Sequence, residues 1–513
     1  MSGRRGGGRA GRVARRRDAA TAAFDHAWRN WVNPYPPIEQ FSADQIEAIH
    51  EASLRVLAET GIRVLSDEAC DLYRQAGMRV GDEGMVRFDP NGLLGLIAAA
   101  PSTVTLRARG TNRDVIIGGR HVGVCTTGGT PNFSDLDGGR RPGTFAAFED
   151  LLRLAQSFDV IHILGPLVEP QDVPTHLRHL TMTRAMMTLS DKAPFVFFRG
   201  TEAVADAFEI VRMALGLSPE EFRETPCCYS VANSNSPLQL DLLMCRGIID
   251  AARAGQLMVL TPFTLAGAMA PVTLAGALVL QNAEALAGIA LAQIVRPGAP
   301  ACYGSFTSNV DMKSGAPAFG TPEYTKAAFA SGQLARRYRL PLRSSAVTAS
   351  NAPDAQAAYE TQMALWGALM GGANFLLHGA GWLEGGLTVS AEKFIIDIEM
   401  LQMFAELLKP VGVSAATLAL DAIAEVGPGG HFFGAQHTLE RFETAFYSPL
   451  LSDWRNFETW RDDGAVDATK RANRLYKETL ASYQPPVLDP AKLEEIDAFI
   501  ARRTEEGGAD IER

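Results

Sequence analysis

In the stretch NFLLHGAGWLEGGLTVSAEKFIIDIE, residues 374–399, a short apolar run delivers His378 into a glycine-rich turn, with Trp382 and Glu384 just beyond. Glycines there let the backbone bend sharply and let a ligand come close. Other apolar runs of strand length end in comparable residues. The first ends at Thr126 and Thr127, the third at Arg199, the fourth at Asn233 and Asn235, and the fifth at Phe263. The sixth ends at Tyr303, Ser305 and Phe306, with Asp311 and Lys313 in the following loop, and the seventh at Arg343, Ser345 and Thr348. These are amides, hydroxyls, aromatic rings and two arginines, a set poor in paired acids.

Several chemistries find no support in this set. His378 has no HxxH or HxH partner, so a histidine metal centre is not expected. Cys125, Cys227 or Cys228, and Cys302 could converge as zinc ligands, although barrel strands readily bury cysteine as a small apolar residue. No GxSxG elbow is present, and TTGGTPNFSDLDGG fits neither GxGxxG nor a phosphate loop. Arg343 shares one face of its strand with Ser345 and Val347. An arginine there is costly unless it is paired or faces a ligand; an ion pair with an acid such as Asp311 is the structural alternative. Glu392 falls in the first turn of a helix, where negative charge is favourable without any function. Asp397, one turn later, reads as structural, and Glu384 either anchors its loop or supplies a field for a cation.

What must position these residues is a repeating pattern. Strand-length runs occur at HVGVCTT, DVIHILGPLV, PFVFFRG, PCCYSVAN, QLMVLTP, ACYGSFT, PLRSSAVT and NFLLHGAG. Helix-length segments follow them at 144–157, 174–189, 202–216, 236–254, 271–295, 321–338, 353–371 and 390–408. Ser236-Pro237 and Thr321-Pro322 each place a capping hydroxyl before a proline, and Gly255 stands where a left-handed stop belongs. Strands alternating with helices imply parallel pairing, and eight such units predict a closed (β/α)8 barrel over residues 121–410, with its chemistry at the carboxyl ends of the strands. An open doubly wound sheet is the alternative. Residues 36–120, opening with a helix capped by Ser42 and closed by Gly61, predict a small α/β extension. Residues 411–513 predict a mixed, largely helical extension over an end or edge of the barrel.

The 513 residues are 47% apolar and 21% charged, ordinary values for a globular protein, and the formal charge of −10 argues against nucleic-acid binding. Residues 1–35 open with MSGRRGGGRAGRVARRR, a basic segment without apolar periodicity that reads as a disordered tail. It lacks the amphipathic positions of a transit peptide, and no apolar signal core follows it, so a cytoplasmic protein is expected. Six cysteines without CxxC spacing are expected to be reduced and mostly buried. The apolar segment from Leu257 to Val295 is broken by Pro262 and Pro271 and carries Gln281, Asn282 and Glu284, which favours a buried strand, turn and helix over a membrane span.

HGAGWLEGGLTVSAEKFIIDIE, YGSFTSNVDMKSGAPAFGTPEY, APVTLAGALVLQNAE and GHFFGAQHTLERFETAFYSPLLSDWRNFETW together resemble the trimethylamine methyltransferase (MttB) superfamily, in the same order from about residue 36 to the end. The resemblance implies a (β/α)8 barrel that moves a methyl group from a methylamine or quaternary amine to the cobalt of a separate corrinoid protein. Founding members carry pyrrolysine; this chain reads through in ordinary residues and so resembles the pyrrolysine-free relatives, which include glycine betaine methyltransferases. No cofactor would be bound tightly, because methylcobalamin or a related corrinoid arrives on the partner. The expected partners are that cognate corrinoid protein and a small quaternary amine, and self-association is common among large barrels.

A quaternary ammonium leaves as a neutral tertiary amine, whereas neutral trimethylamine would expel an amide anion and needs activation, the role proposed for pyrrolysine. A betaine-like substrate is therefore the better match. Its trimethylammonium head asks for aromatic faces, for which Phe263, Tyr303, Phe306 and Trp382 are candidates, unless they merely pack. Its carboxylate asks for a forked donor, for which Arg343 is the candidate, with Asn233 and Glu384 also at predicted rim positions. His378 is expected to bind the carboxylate or a water, or to orient Arg343; a satisfied structural histidine is the alternative. Two other readings differ in class: a zinc-thiol methyltransferase with another acceptor, and a non-catalytic betaine-binding protein.

Overall fold

The computed structural model describes residues 28–198 and 200–509. The basic tail expected over 1–35 lies mostly outside them. Trp31–Val32, within that stretch, pair antiparallel with His121–Val122, and Trp31 is buried. A strand pairing with an apolar anchor ties the chain down there.

Six parallel strands form one curled sheet in the spatial order Tyr229–Ala232, Leu257–Leu260, Ala301–Gly304, Leu342–Ser345, Phe375–Leu377 and His121–Val124. The architecture is mixed α/β around a curled half-barrel sheet. The regular ladder covers six of the eight expected strands. The second and third runs touch their neighbours through isolated parallel bridges, Cys125 to Ile163, Ile163 to Ala193 and Phe195 to Tyr229. Pro166 interrupts the second run and Pro194 opens the third, and a proline has no N–H to give a ladder.

All eight expected helices are present: Phe145–Ser157, Thr175–Leu189, Thr201–Leu215, Leu242–Ala254, Leu274–Val295, Pro322–Arg337, Ala355–Gly371 and Ala391–Leu407. Local chemistry sets their ends. Ser42 and Gln45 form a reciprocal capping box on Ala43–Arg55, Thr321 accepts from Tyr324 N–H ahead of Pro322, and Gly255 takes the left-handed stop at φ 69°. One expected start is corrected. Ser236-Pro237 is a cis peptide and the helix begins at Leu242, capped by Asp241. The reason is the buried carboxylate of Glu284, which collects the hydroxyls of Ser234 and Ser236 and the N–H of Leu238. Those groups serve a loop rather than a cap.

Leu274–Val295 is long and apolar enough to cross a membrane by length and composition, yet most of it is covered by surrounding protein. Its polar residues are satisfied inside: Gln281 meets Tyr303, Ser305, Thr307 and Ser331, and Asn282 meets Tyr303 and Tyr338. The N-terminal region adds Ala43–Arg55 and a small sheet in which Ile62–Val64 pairs with Met85–Arg87 and with Gln239–Leu240. The C-terminal region is helical, and two of its helices dock on the body. Ala468–Ser482 packs on Ala391–Leu407, and Pro490–Glu505 is held by Arg503 on Asp206 and Asp497 on Arg184.

Candidate functional site

Beyond the carboxyl ends of the strands lies an apolar cluster separate from the main core. It contains Leu265, Phe306, Val310, Phe319, Tyr324, Val347, Ala364 and Trp382, with the partly buried Phe263 against it. Phe306 is its hub. It stacks on Phe263 at 5.2 Å between ring centres, meets Phe319 at 5.4 Å, and receives His378 at 5.6 Å and Trp382 at 6.3 Å, both edge-on. Arg343 lies over the same ring, its guanidinium carbon 5.0 Å from the centre. Arg343, His378, Phe263, Phe306 and Trp382, expected together from four separate strand ends, therefore share one neighbourhood.

His378 follows strand Phe375–Leu377 with φ 62°, a left-handed conformation uncommon outside glycine, and its N–H donates to Thr126 O at 3.1 Å. Strain of this kind is concentrated where a side chain must be aimed. The imidazole packs on Trp382, 4.0 Å between centres, and its Nδ1 lies 3.1 Å from Ser345 Oγ. A Cβ on Gly128 would sit 2.8 Å from Nε2, so the glycine after the first strand makes room for this ring. Burial, then the charge of Arg343, hold its pKa well below the ordinary histidine value, so the ring is neutral. Trp382 is fixed by its indole N–H, which donates to Thr348 O at 3.1 Å.

Arg343 is 2% exposed. Its Nη1 donates to Ser305 O at 3.0 Å, while its Nε is buried without a hydrogen-bond partner. No carboxylate pairs with it among the described residues. The proposed ion pair with Asp311 is not formed, because that carboxylate accepts from Ser314 and Lys313 in its own exposed loop. Burial pushes the guanidinium pKa down to about 10, opposed by the surrounding Tyr324, Cys302, Tyr229 and Cys125. It remains a cation at neutral pH. Thr127 Oγ1, at the end of the first strand, is also buried and unpartnered.

Other expected site residues lie elsewhere. Tyr303 is directed outward from the sheet into the helix layer; its hydroxyl donates to Asn282 Oδ1 and accepts from Gln281, and its ring stacks with Tyr338. Within Ala301–Gly304 alternate residues face opposite ways, and Gly304, in register with Arg343, has the inward position. Asn233 is exposed and makes no hydrogen bond to the cluster among the described residues. Glu384 anchors a loop: Arg140 Nε donates to both its carboxylate oxygens at 3.0 and 2.9 Å. That pair joins hairpin Asn132–Pro142 to the loop carrying Trp382. Asp397 holds Lys393 and the N–H of Gly381, and Glu392 accepts from Leu136 N–H and Asn473. Arg199 lies outside the described residues.

The thiols proposed for zinc point to separate partners: Cys125 to the Tyr229 hydroxyl, Cys227 and Cys228 to Gln256, and Cys302 to Pro341 O. Burial pushes the Cys125 pKa up to about 12, which disfavours the thiolate a metal needs. Two aromatic members of the cluster escaped the sequence reading. Phe319 and Tyr324 flank the cap Thr321, and an aromatic beside a helix start at the carboxyl end was the available signal. Tyr324 O–H donates to Ser345 O at 2.9 Å and so braces the strand that carries Arg343.

The assembled site is a neutral imidazole, an aromatic wall and a deep guanidinium with no carboxylate partner among the described residues. A family model described as trimethylamine methyltransferase (MTTB) matches residues 5–508. The chain is 37% identical over 478 residues to a glycine betaine methyltransferase of Desulfitobacterium hafniense strain Y51, covering 93% of this chain and 99% of that one. It is 32% identical over 471 residues to the trimethylamine methyltransferase MttB of Desulfitobacterium hafniense strain DSM 10664 / DCB-2, covering 91% and 94%. Among solved structures, the Methanosarcina barkeri monomethylamine methyltransferase MtmB superposes with a TM-score of 0.48 at 12% identity, over 86% of this chain and 88% of that one.

Proposed function

The chain belongs to the trimethylamine methyltransferase (MTTB) family, and from that membership we propose that it demethylates a carboxylated quaternary amine of the glycine betaine type, delivering the methyl group to a separate corrinoid protein. The observation that carries the substrate class is Arg343: a buried guanidinium with no carboxylate partner among the described residues, beside a cluster of aromatic rings. A desolvated cation costs several kcal/mol unless something answers it. A substrate carboxylate would do so.

The bridges from Cys125 through Ile163 and Ala193 to Tyr229 support a closed (β/α)8 ring, in which all eight strand ends share one rim. The substrate carboxylate would then lie inward on Arg343 and the methyl groups outward, toward the partner. A Co(I) corrinoid on that partner would supply the nucleophile for one methyl carbon, and the C–N electron pair would stay on nitrogen. The leaving group is a neutral tertiary amine, on a product that keeps its carboxylate charge, so no proton has to be supplied and a neutral His378 is sufficient. The lowered pKa of His378 also keeps a second positive charge away from the ammonium. Phe263, Phe306 and Trp382 offer ring faces that attract a trimethylammonium and exclude water from the reacting carbon. Free buried cysteines fit a reducing, cytoplasmic setting.

The test is a panel of glycine betaine, longer betaines, tetramethylammonium and trimethylamine with free cob(I)alamin, followed by the absorbance change on methylation. Carboxylated quaternary amines should react and trimethylamine should not. Comparable demethylation of trimethylamine and glycine betaine would overturn the substrate class. Tight betaine binding without methylation of any corrinoid, free or partner-borne, would favour a non-catalytic binding protein.

A further inference from the structure

Thr261 follows the strand Leu257–Leu260, and its N–H donates to Ala232 O at 2.8 Å, so the ladder runs on through it. Leu260 stands beside Tyr303, and Gly304 beside Arg343, which puts Thr261, Gly304 and Arg343 in one row across three neighbouring strands. Leu260 faces the helix layer, where its side chain lies against Gly288, and the next residue on a strand faces the other way. Thr261 is therefore directed inward. It is buried, and its hydroxyl oxygen has no hydrogen-bond partner among the described residues. A Cβ on Gly304 would collide with that hydroxyl and with Leu260 O, so glycine at that place is what makes room for it. Arg343 leans toward the same intervening strand. Its Nη1 donates to Ser305 O, one residue beyond Gly304, and its Nε is unpartnered.

We propose that the Thr261 hydroxyl is a second donor to the substrate carboxylate, shared with Arg343, and so a specificity-determining residue for carboxylated amines. The inference rests on the reading that the substrate is a carboxylated quaternary amine. A buried hydroxyl and a buried guanidinium N–H are each destabilising when left unpaired. One carboxylate answers both, because its two oxygens offer about four acceptor positions. The spacing fits as well. Neighbouring strands lie about 4.8 Å apart, so the backbones of Thr261 and Arg343 stand roughly 10 Å apart, with a glycine between them. A hydroxyl and a guanidinium reaching in from the two ends leave space for one carboxylate with a hydrogen bond on either side.

Thr261→Val keeps the shape of the side chain and removes the hydroxyl. On the full chain without ligand, its urea midpoint should be no lower than that of the wild type, because no hydrogen bond is lost. Its affinity for glycine betaine, measured by calorimetry, should fall about 10- to 100-fold, the worth of one hydrogen bond to a charged acceptor. Affinity for tetramethylammonium, which has no carboxylate, should change less than about threefold. Thr261→Ser restores the hydroxyl and should bind glycine betaine within about threefold of the wild type. In turnover with cob(I)alamin the loss should appear in KM rather than in kcat. A Thr261→Val protein with wild-type affinity for glycine betaine, or one destabilised and weakened equally toward both amines, would overturn the proposal. If that protein binds normally while Arg343→Met does not, the substrate reading stands and the role of Thr261 alone falls. A wild type that binds no carboxylated amine removes both.

Discussion

Arg343→Met is the substitution that separates a ligand-binding arginine from a structural one. Methionine has a similar length, so it fills the space and keeps contact with Phe306. The wild-type guanidinium is 2% exposed, and burial lowers its pKa from 12.5 to about 10. Keeping it charged inside the fold therefore costs about 3 kcal/mol relative to water. Against this stand the contact with the Phe306 ring and a hydrogen bond to Ser305 O, the latter worth about 1.5–3 kcal/mol for a charged donor. Without ligand the variant should be as stable as the wild type or up to about 2 kcal/mol more so. With glycine betaine it loses the charge-assisted contact to the carboxylate, at least about 3 kcal/mol, so kcat/KM should fall 100-fold or more. Tetramethylammonium has no carboxylate, and its rate should change less than about threefold. Urea unfolding of the apo protein and cob(I)alamin kinetics with both amines provide the measurements. A variant that is destabilised by more than about 1 kcal/mol and loses both substrates equally would refute a carboxylate role and make Arg343 a scaffold residue.

Tyr303→Phe should lower stability by about 1–3 kcal/mol, because Gln281 and Asn282 lose a buried partner, while kcat/KM stays within twofold; a large loss of activity in a stable variant would return Tyr303 to the site. Glu384→Gln should cost less than about 1 kcal/mol, since Arg140 is half-exposed, yet raise KM several-fold by loosening the loop of Trp382; steady-state kinetics with unchanged KM would show that the loop needs no such anchor. Stability should also fall in acid through His162, whose Nδ1 accepts from Val124 N–H and whose Nε2 donates to Arg29 O. Burial, then Lys192, hold its folded pKa at about 3, against about 6.5 unfolded. Its contribution is complete above pH 6.5 and declines by about 1.4 kcal/mol per pH unit as pH falls toward 3; unfolding midpoints with equal slopes for wild type and His162→Gln between pH 6.5 and 5 would refute this.

The strand-and-helix order, the caps at Ser42 and Thr321, the stop at Gly255 and the strand-end position of His378 were all readable from local pattern. Each depends on residues within a few positions of one another, where propensity, hydrogen-bond geometry and the left-handed freedom of glycine act directly. The second and third strands were less regular than their apolar runs suggested, because Pro166 and Pro194 withhold ladder donors. Ser236 illustrates the limit of a capping motif. Its hydroxyl is claimed by Glu284, a residue that local pattern places on a distant helix.

The sequence by itself determined which residues stand at strand ends and that those ends carry rings and an arginine but few acids. The tertiary structure alone decided which of them face one another. In a strand such as Ala301–Gly304, buried on both faces, no polar alternation marks the inward side, so the direction of Tyr303 awaited the neighbouring strand's register. The isolation of Arg343 was likewise invisible in one dimension. Whether a charge has a partner depends on where the acids of distant segments are placed, and among the described residues none is placed beside it.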